Sequence, residues 1–530
     1  MATMTSEPVF APSSGRALAA SIGKNTAFGV VGSVVHLIAR LLVVPVAVKH
    51  LGLDGFGIWS VLMTVAAYMS LGSAGVKSAF QKYAAEATGN GEFDQASRLI
   101  STGTAAVTLL SIVVLVPLAI FAKPLAVAVG VPMAFLPAAT KSIVFLAFAA
   151  LMSNIGQAFQ SILMGAHRID LREKINIILD PASAVVTIAL LYMGFGLFSM
   201  CVVFSAYELV GSVIWYFLSR RVLPQVHVAP RFVTRSVVPE LIRFGGSYQL
   251  VSMFEALLAA VLPITILKFF GAESAGIFAL AFRVVTIAGV IQGSYLQAIL
   301  SGGSAVFASN SPEQTNAFIV KSFKAMSAIT IIPLAFIALY GTQIAMVWTG
   351  RSDPLLRATI WLLCAGGICR SLSSLCRVLY RVSGGAVMDN VQLILALAVA
   401  FALSPLAPHI GFLPVVGGVA FGGQFLGLIV MGMSLTYRFK GFHAWVLAPN
   451  LIRFCVATLA MLAASIVASY IGVHSHINSR TLATVHLFAA TAICLLVAGP
   501  ALLLTGSISR NEARMMWNTI SRKLKFAPAA

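Results

Sequence analysis

Fourteen apolar runs, each long enough to cross a bilayer as a helix, follow one another along this chain. They lie near 25–48, 56–80, 99–122, 139–165, 175–195, 197–218, 245–269, 275–307, 325–348, 356–376, 388–407, 412–436, 452–472 and 481–506. A spanning helix needs about 20 apolar residues. These runs are too long for barrel strands and lack strict alternation. They predict an all-α membrane protein of fourteen transmembrane helices. Composition agrees: 59% of the 530 residues are hydrophobic and 10% are charged. A soluble chain carries about 25% charged residues, so this one has too few to wet a globule of its size.

The net charge of +19 then has a membrane explanation. With the N-terminus inside, 24 of the 35 Lys and Arg fall in cytoplasmic segments, 7 outside and 4 within spans. The cytoplasmic set includes Arg168, Arg172 and Lys174, the group Arg220, Arg221, Arg231, Arg235 and Arg243, and the tail group Arg510, Arg514, Arg522, Lys523 and Lys525. Lys and Arg accumulate in cytoplasmic loops, so both termini are expected in the cytoplasm. The N-terminus has no charged segment followed by an apolar stretch and does not read as a cleavable signal. The basic balance therefore does not call for a nucleic-acid partner. The six cysteines lie in apolar runs without CxxC spacing and read as small buried hydrophobes rather than disulfide or metal sites.

One segment recurs. VKHLGLDGFGIWSV, between the first two spans, matches LKFFGAESAGIFAL, between the seventh and eighth, at a constant offset of 219 residues. Lys49 pairs with Lys268, Gly52 with Gly271, Asp54 with Glu273, Gly57 with Gly276, and Ile58 with Ile277. A tight turn between helices calls for glycine, for close approach or a positive φ, and an acid that caps the next helix. An even number of spans between equivalents gives parallel repeats. The expected organisation is a cytoplasmic N-terminal segment (1–24), a six-helix N-lobe (25–218), a basic cytoplasmic linker (219–244), and a six-helix C-lobe (245–436). Two extra helices (452–506) and a cytoplasmic tail (507–530) follow. In the tail, Ala513, Trp517, Ile520 and Leu524 fall on one stripe of a basic amphipathic helix suited to the inner leaflet. No segment outside the spans is long enough for a catalytic domain, so no catalytic residues are expected.

Ionisable residues within spans are expensive and usually face a bundle interior or an aqueous cavity. Arg40, Arg283 and Arg370 are the deep cations, with His36 one helical turn before Arg40. Guanidinium groups suit bidentate recognition of phosphate or carboxylate, so these four are candidate substrate-binding residues for an anionic passenger. Pairing with buried acids is the alternative. Those acids are Asp180, Glu208 and Glu255, candidates for coupling or gating through a proton or cation. Asp180 precedes Pro181, which should kink its helix. Lys77 can snorkel to the cytoplasmic surface. GGVAFGG (Gly417 to Gly423) reads as close helix packing. No metal-ligand cluster or cofactor motif is present in the sequence; the only coupling partner expected is a proton or sodium gradient.

The stretch VVPVAVKHLGLDGFGIWSVLMTVAAYMSLGSAGVKSAFQKYAAEA (Val43 to Ala87) resembles the opening helix pair of the polysaccharide exporters, or lipid-linked oligosaccharide flippases, of the multidrug/oligosaccharidyl-lipid/polysaccharide (MOP) superfamily. ILMGAHRIDLREKINI (Ile162 to Ile177) and GIFALAFRVV (Gly276 to Val285) are similar to later parts of the same family. The resemblance implies two lobes that rock to alternate access and carry an undecaprenyl-pyrophosphate-linked oligosaccharide across the bacterial inner membrane, for exopolysaccharide or O-antigen synthesis. It implies a lipid-linked substrate, membrane lipids and, as partners, a polysaccharide polymerase and chain-length proteins. Members often carry an acid near the end of the second span, where this chain has Ser73 in LGSAG. A peptidoglycan lipid-precursor flippase and a multidrug/cation antiporter share the superfamily and stay open. Deep arginines suit the cationic passengers of an antiporter poorly. A membrane-embedded polymerase or ligase would want a sizeable outer loop, and the outer loops here are short.

Overall fold

The computed structural model describes residues 15–69, 74–166, 168–308, 311–383, 388–439, 448–471 and 480–504. Among them every regular element is a helix. The first series runs α1 (Gly15–Met69), α2 (Ala74–Asn90), α3 (Phe93–Ile120), α4 (Ala122–Ala128), α5 (Leu136–Gly165), α6 (Ile169–Tyr192) and α7 (Gly196–Val222). The second runs α8 (Val238–Thr286), α9 (Gly289–Ala308), α10 (Pro312–Thr349), α11 (Pro354–Val382), α12 (Met388–Leu403), α13 (Ala407–Ile410), α14 (Phe412–Val416) and α15 (Gly423–Arg438). Two helices close the order, α16 (Ala448–Ile471) and α17 (Arg480–Leu504). Nine helical stretches among the described residues are long and apolar enough to cross a membrane, and Asn390–Leu403 and Ala483–Ile493 are shorter apolar helices. The predicted amphipathic tail and Ser73 lie outside the described residues.

The repeat is visible in the backbone. α1 breaks at Gly52 (φ 71, ψ 178) and α8 breaks at Gly271 (φ 85, ψ 176). This corner of the φ/ψ map is essentially open to glycine alone, which explains why the recurring motif keeps glycine there. The helix order repeats at the same spacing: α3 opens at Phe93 and α10 at Pro312. By compactness the chain divides into Met1–Gly276 and Ile277–Ala530, a division that falls within α8. Inside the first, the two glycine turns meet. A Cβ on Gly57 would overlap the Ala272 carbonyl oxygen and the Gly276 amide nitrogen, and one on Gly276 would overlap the Leu53 carbonyl oxygen. Each glycine thus admits the backbone of the equivalent turn.

The packing is that of a helix bundle in lipid, with small and hydroxylated residues inside and large apolar ones outside. On α3 the buried face carries Ser97, Ser101, Thr102, Gly103, Val107 and Ser111, while Leu109 and Val113 are exposed. α5 and α7 approach closely because Gly156 faces Ser212. Their contact is fastened by hydroxyl donation, Ser205 to the Phe145 carbonyl (2.8 Å) and Ser212 to the Met152 carbonyl (2.7 Å). In the second unit GGVAFGG forms a π-turn over Gly417–Gly422, and Gly366 of α11 lies against the Ala420 carbonyl, so the glycine run does serve close packing. A buried amide chain runs nearby. Gln392 donates to Ser373 Oγ (2.7 Å) and to Gln424 Oε1 (3.1 Å). Ser371 donates to Gln292 Oε1 (2.7 Å). Cys201, Cys364, Cys369 and Cys376 are buried as expected, whereas Cys455 is exposed. Cys455 sits on an outer face of α16, beside the exposed Val456 and Leu459, where a small apolar group is equally tolerated by lipid.

The segment between α7 and α8 is held to α3 by hydroxyl groups. The Thr102 hydroxyl donates to the Thr234 carbonyl (3.2 Å) and accepts from the Thr234 amide (2.9 Å). Thr102→Val keeps the shape and leaves both backbone groups unpaired, which costs about 1–3 kcal/mol for a buried group. The expected result is a lowered unfolding midpoint for the detergent-purified protein, with Thr102→Ser retaining most of the wild-type value.

Candidate functional site

A polar cluster occupies the interior of the first unit, where α1, α6 and α7 pack together. Its first strip lies on α1. Gly32, His36 and Arg40 follow at intervals of four and therefore share one face. The second lies on α6, where Glu173 and Asp180 are seven residues apart, again one stripe. The third is the adjacent pair Tyr207 and Glu208 on α7.

The contacts climb the strip on α1. At its lower end, Gly32 leaves room for Glu173, whose Oε2 occupies the space a Cβ would need. Glu173 also pairs with Arg172 (Nη1 to Oε1, 3.5 Å) and hydrogen-bonds Asn176. One turn higher, His36 Nδ1 is 2.8 Å from Asp180 Oδ2. The Asp180 side chain is 8% exposed and that of His36 41%. Tyr207 hydrogen-bonds the same carboxylate. A buried carboxylate is tolerated only where donors satisfy it, and Asp180 has two, supplied by neighbouring helices. Highest on the strip is Arg40, exposed, whose charge acts on Glu208 and Tyr207. Glu208 is further held by a hydrogen bond with Ser153 of α5.

Pro181 shapes the middle of this cluster. It has no amide hydrogen to give the Ile177 carbonyl, so α6 is weakened at the point where Asp180 sits. The Ser183 hydroxyl donates to the Asp180 carbonyl (2.8 Å) and steadies the backbone there.

Four sequence-predicted residues, His36, Arg40, Asp180 and Glu208, are thus brought into one network. Glu255 is exposed on α8 in the first unit, Arg283 is half-buried on α8 in the second, and Arg370 is exposed on α11. Each of these three has interactions of its own. Sequence reasoning missed Glu173, Tyr207 and Ser153. Glu173 stands between Arg172 and Lys174, which the sequence places in a cytoplasmic segment. Its signal was the spacing of seven to Asp180, paired with a glycine four residues before His36. Tyr207 was hidden by its more conspicuous neighbour. No group of three or more His, Cys, Asp or Glu with metal-binding geometry occurs among the described residues.

Chemically, the cluster offers an exposed guanidinium near the Glu208 carboxylate and, one turn away, an imidazole hydrogen-bonded to the Asp180 carboxylate. Such a set can hold an anion at one end and accept or release protons at the other.

The fold is similar to that of solved transporters of the MOP superfamily. The chain aligns with an inward-facing multidrug resistance MATE family transporter of that superfamily at a TM-score of 0.66 and 15% identity, covering 76% of this chain and 94% of that one. It aligns with the lipid II flippase MurJ in an inward closed conformation at a TM-score of 0.67 and 12% identity, covering 89% and 99%. A MOP superfamily transporter from Pyrococcus furiosus, whose binding pocket is described as having reverse polarity, gives 0.58 and 15%, covering 79% and 95%. No curated protein matches the chain in sequence. The family model for polysaccharide biosynthesis proteins matches residues 22–301, more than half of the chain, and the chain belongs to that family. It is a multi-pass membrane protein.

Proposed function

We propose that this chain is a flippase for an undecaprenyl-pyrophosphate-linked oligosaccharide, which it carries across the bacterial inner membrane by alternating access for exopolysaccharide or O-antigen-type synthesis. The observation that supports this best is Arg40: an exposed guanidinium on an apolar helix, beside a polar network, in a member of a polysaccharide biosynthesis family. A pyrophosphate offers oxygens that a planar guanidinium grips in pairs. Arg283 and Arg370 extend this role in the second unit, with His36 assisting Arg40. Asp180 and Glu208 supply the coupling to a proton or sodium gradient, and Glu255 contributes to gating. The chain is oriented with both termini in the cytoplasm, as the distribution of Lys and Arg favours. A polymerase and chain-length proteins act on the product after transfer.

The experiment is deletion of the coding sequence followed by mass analysis of lipid-linked intermediates. Full-length oligosaccharide units should accumulate on the inner leaflet; truncated units would point instead to an assembly enzyme. Arg40→Ala should lower polymer export at least tenfold with normal protein levels, and undiminished export would remove Arg40 from the substrate site. A lipid precursor of peptidoglycan is the second reading, favoured by the alignment with MurJ over 89% of the chain. Accumulation of that precursor after deletion would select it.

A further inference from the structure

The segment joining α7 to α8 reads as a spacer in sequence, yet it has a fixed shape and a distinctive outer edge. Between Glu208 and Glu240 there is no acidic residue, while Arg220, Arg221, Arg231, Arg235 and His227 all fall there. Its inner edge is read by α3. The His227 amide donates to Ser97 Oγ (2.9 Å), the Ser101 hydroxyl donates to the His227 carbonyl (3.1 Å), and the Ala229 amide donates back to Ser101 Oγ (3.1 Å). Thr102 then pairs with both backbone groups of Thr234. Ser97, Ser101 and Thr102 are all buried. Leu223 and Val226 are buried with Trp215 and Ile100 in the same apolar cluster. The strap is therefore fastened along its length to the end of the first unit.

Such fastening dictates which side chains face away. Val233 (φ −69, ψ 121) and Thr234 (φ −141, ψ 139) are extended and join two 3-10 turns, Pro230–Phe232 and Arg235–Val237. Phe232 and Thr234 are half-buried, whereas Arg231, Val233 and Arg235 are exposed. Phe232 stacks on His227 with ring centroids 5.9 Å apart and planes 12° apart. The Arg231 guanidinium carbon is 4.9 Å from the Phe232 ring centre, and Arg220 Nη1 hydrogen-bonds His227 Nδ1. Because arginine can only donate, that ring nitrogen is the acceptor. The two aromatic rings thus hold a guanidinium at each end.

We propose that this outer edge, Arg231–Val233–Arg235 with Arg220 on its flank, seats the phosphate of an anionic phospholipid headgroup. Charge complementarity names the ligand: several guanidinium groups stand on an acid-free stretch. An apolar Val233 between two arginines suits the boundary of headgroup and acyl chain rather than open water. One turn before Arg220, α7 exposes Tyr216, a residue type enriched at the membrane–water interface. The expected orientation puts this edge at the inner leaflet, where anionic lipids attract basic juxtamembrane segments. Seated in this way, the strap holds the ends of α3 and α7 at a set depth in the bilayer. Arg231, Arg235 and Arg220 have no part in the passenger site around Arg40.

The test uses the full-length purified protein in nanodiscs of phosphatidylcholine, with or without phosphatidylglycerol. Lipids retained are counted by native mass spectrometry and thermal unfolding is followed in parallel. The wild type should retain phosphatidylglycerol in preference to phosphatidylcholine and unfold at a higher temperature in its presence. Arg231→Gln with Arg235→Gln should lose at least one retained phosphatidylglycerol and most of that rise, and Arg231→Lys with Arg235→Lys should recover part of both. Equal retention and an equal rise in the Gln variant would overturn the proposal. Displacement of the lipid by millimolar inorganic phosphate would also overturn it, in favour of a free-anion site. Arg40→Ala should leave the lipid effects unchanged, which keeps this outcome separate from that of the substrate assignment.

Discussion

Gly276→Leu should produce little or no folded protein, measured as the monodisperse peak of the detergent-solubilised chain on size exclusion, and Gly57→Leu should behave alike. In both cases the obstacle is backbone rather than a side chain that could swing away. A Cβ at 276 meets the Leu53 carbonyl, and a Cβ at 57 meets the Ala272 carbonyl and the Gly276 amide. Overpacking in a well-packed interior typically costs about 1–3 kcal/mol and sometimes more. Here relief requires the two turns to separate along their whole contact, so the loss belongs at the upper end or beyond. Gly→Ala at the same positions tests the magnitude: it adds only the one carbon, and a reduced but measurable yield is expected. The control is Gly432, which lies in open space. Gly432→Ala should give a wild-type peak. A normal yield for Gly276→Leu would show that the turns do not meet as described.

That contact also shows how far the sequence could be read. The recurring Lys, Gly and acid at a 219-residue offset announced two equivalent turns, and the positive φ at Gly52 and Gly271 follows from the same glycines. What spacing does not reveal is that equivalent residues touch: Gly57 and Gly276 are each other's repeat partners and also neighbours. The apolar runs were legible because a lipid-facing helix must be apolar over its whole length. The interior was harder, because its signal is the absence of bulk. Ser97, Ser101 and Thr102 look like ordinary helix residues, and only folding shows that they hold the 223–237 strap. Partners in the polar cluster are equally remote in sequence. His36 and Asp180 are 144 positions apart; each stands out as a polar residue in an apolar run, but which acid meets which cation is not written in the spacing.

Asp180→Asn should lower translocation at least tenfold while leaving protein levels close to normal, with the residual activity no longer responding to an imposed pH gradient. The side chain keeps its volume, and its remaining carbonyl oxygen can still accept from Tyr207. It loses the charge that meets His36 Nδ1 at 2.8 Å. Asp180→Leu is the harsher change. It leaves both His36 and Tyr207 without their acceptor; the His36 side chain is 41% exposed and turns to water, whereas an unpaired Tyr207 hydroxyl costs about 1–3 kcal/mol where it is buried, so the yield should fall as well. The two variants separate roles: if Asp180 served packing alone, Asn would transport normally and Leu would fail. Combining Asp180→Asn with Tyr207→Phe extends the comparison. Residues in one hydrogen-bond network are non-additive, and the double variant should lose less than the sum of the two single losses. Measured as oligosaccharide transfer in proteoliposomes with the gradient set in either direction, a full response to pH in Asp180→Asn would take the coupling role away from this carboxylate and leave it to Glu208.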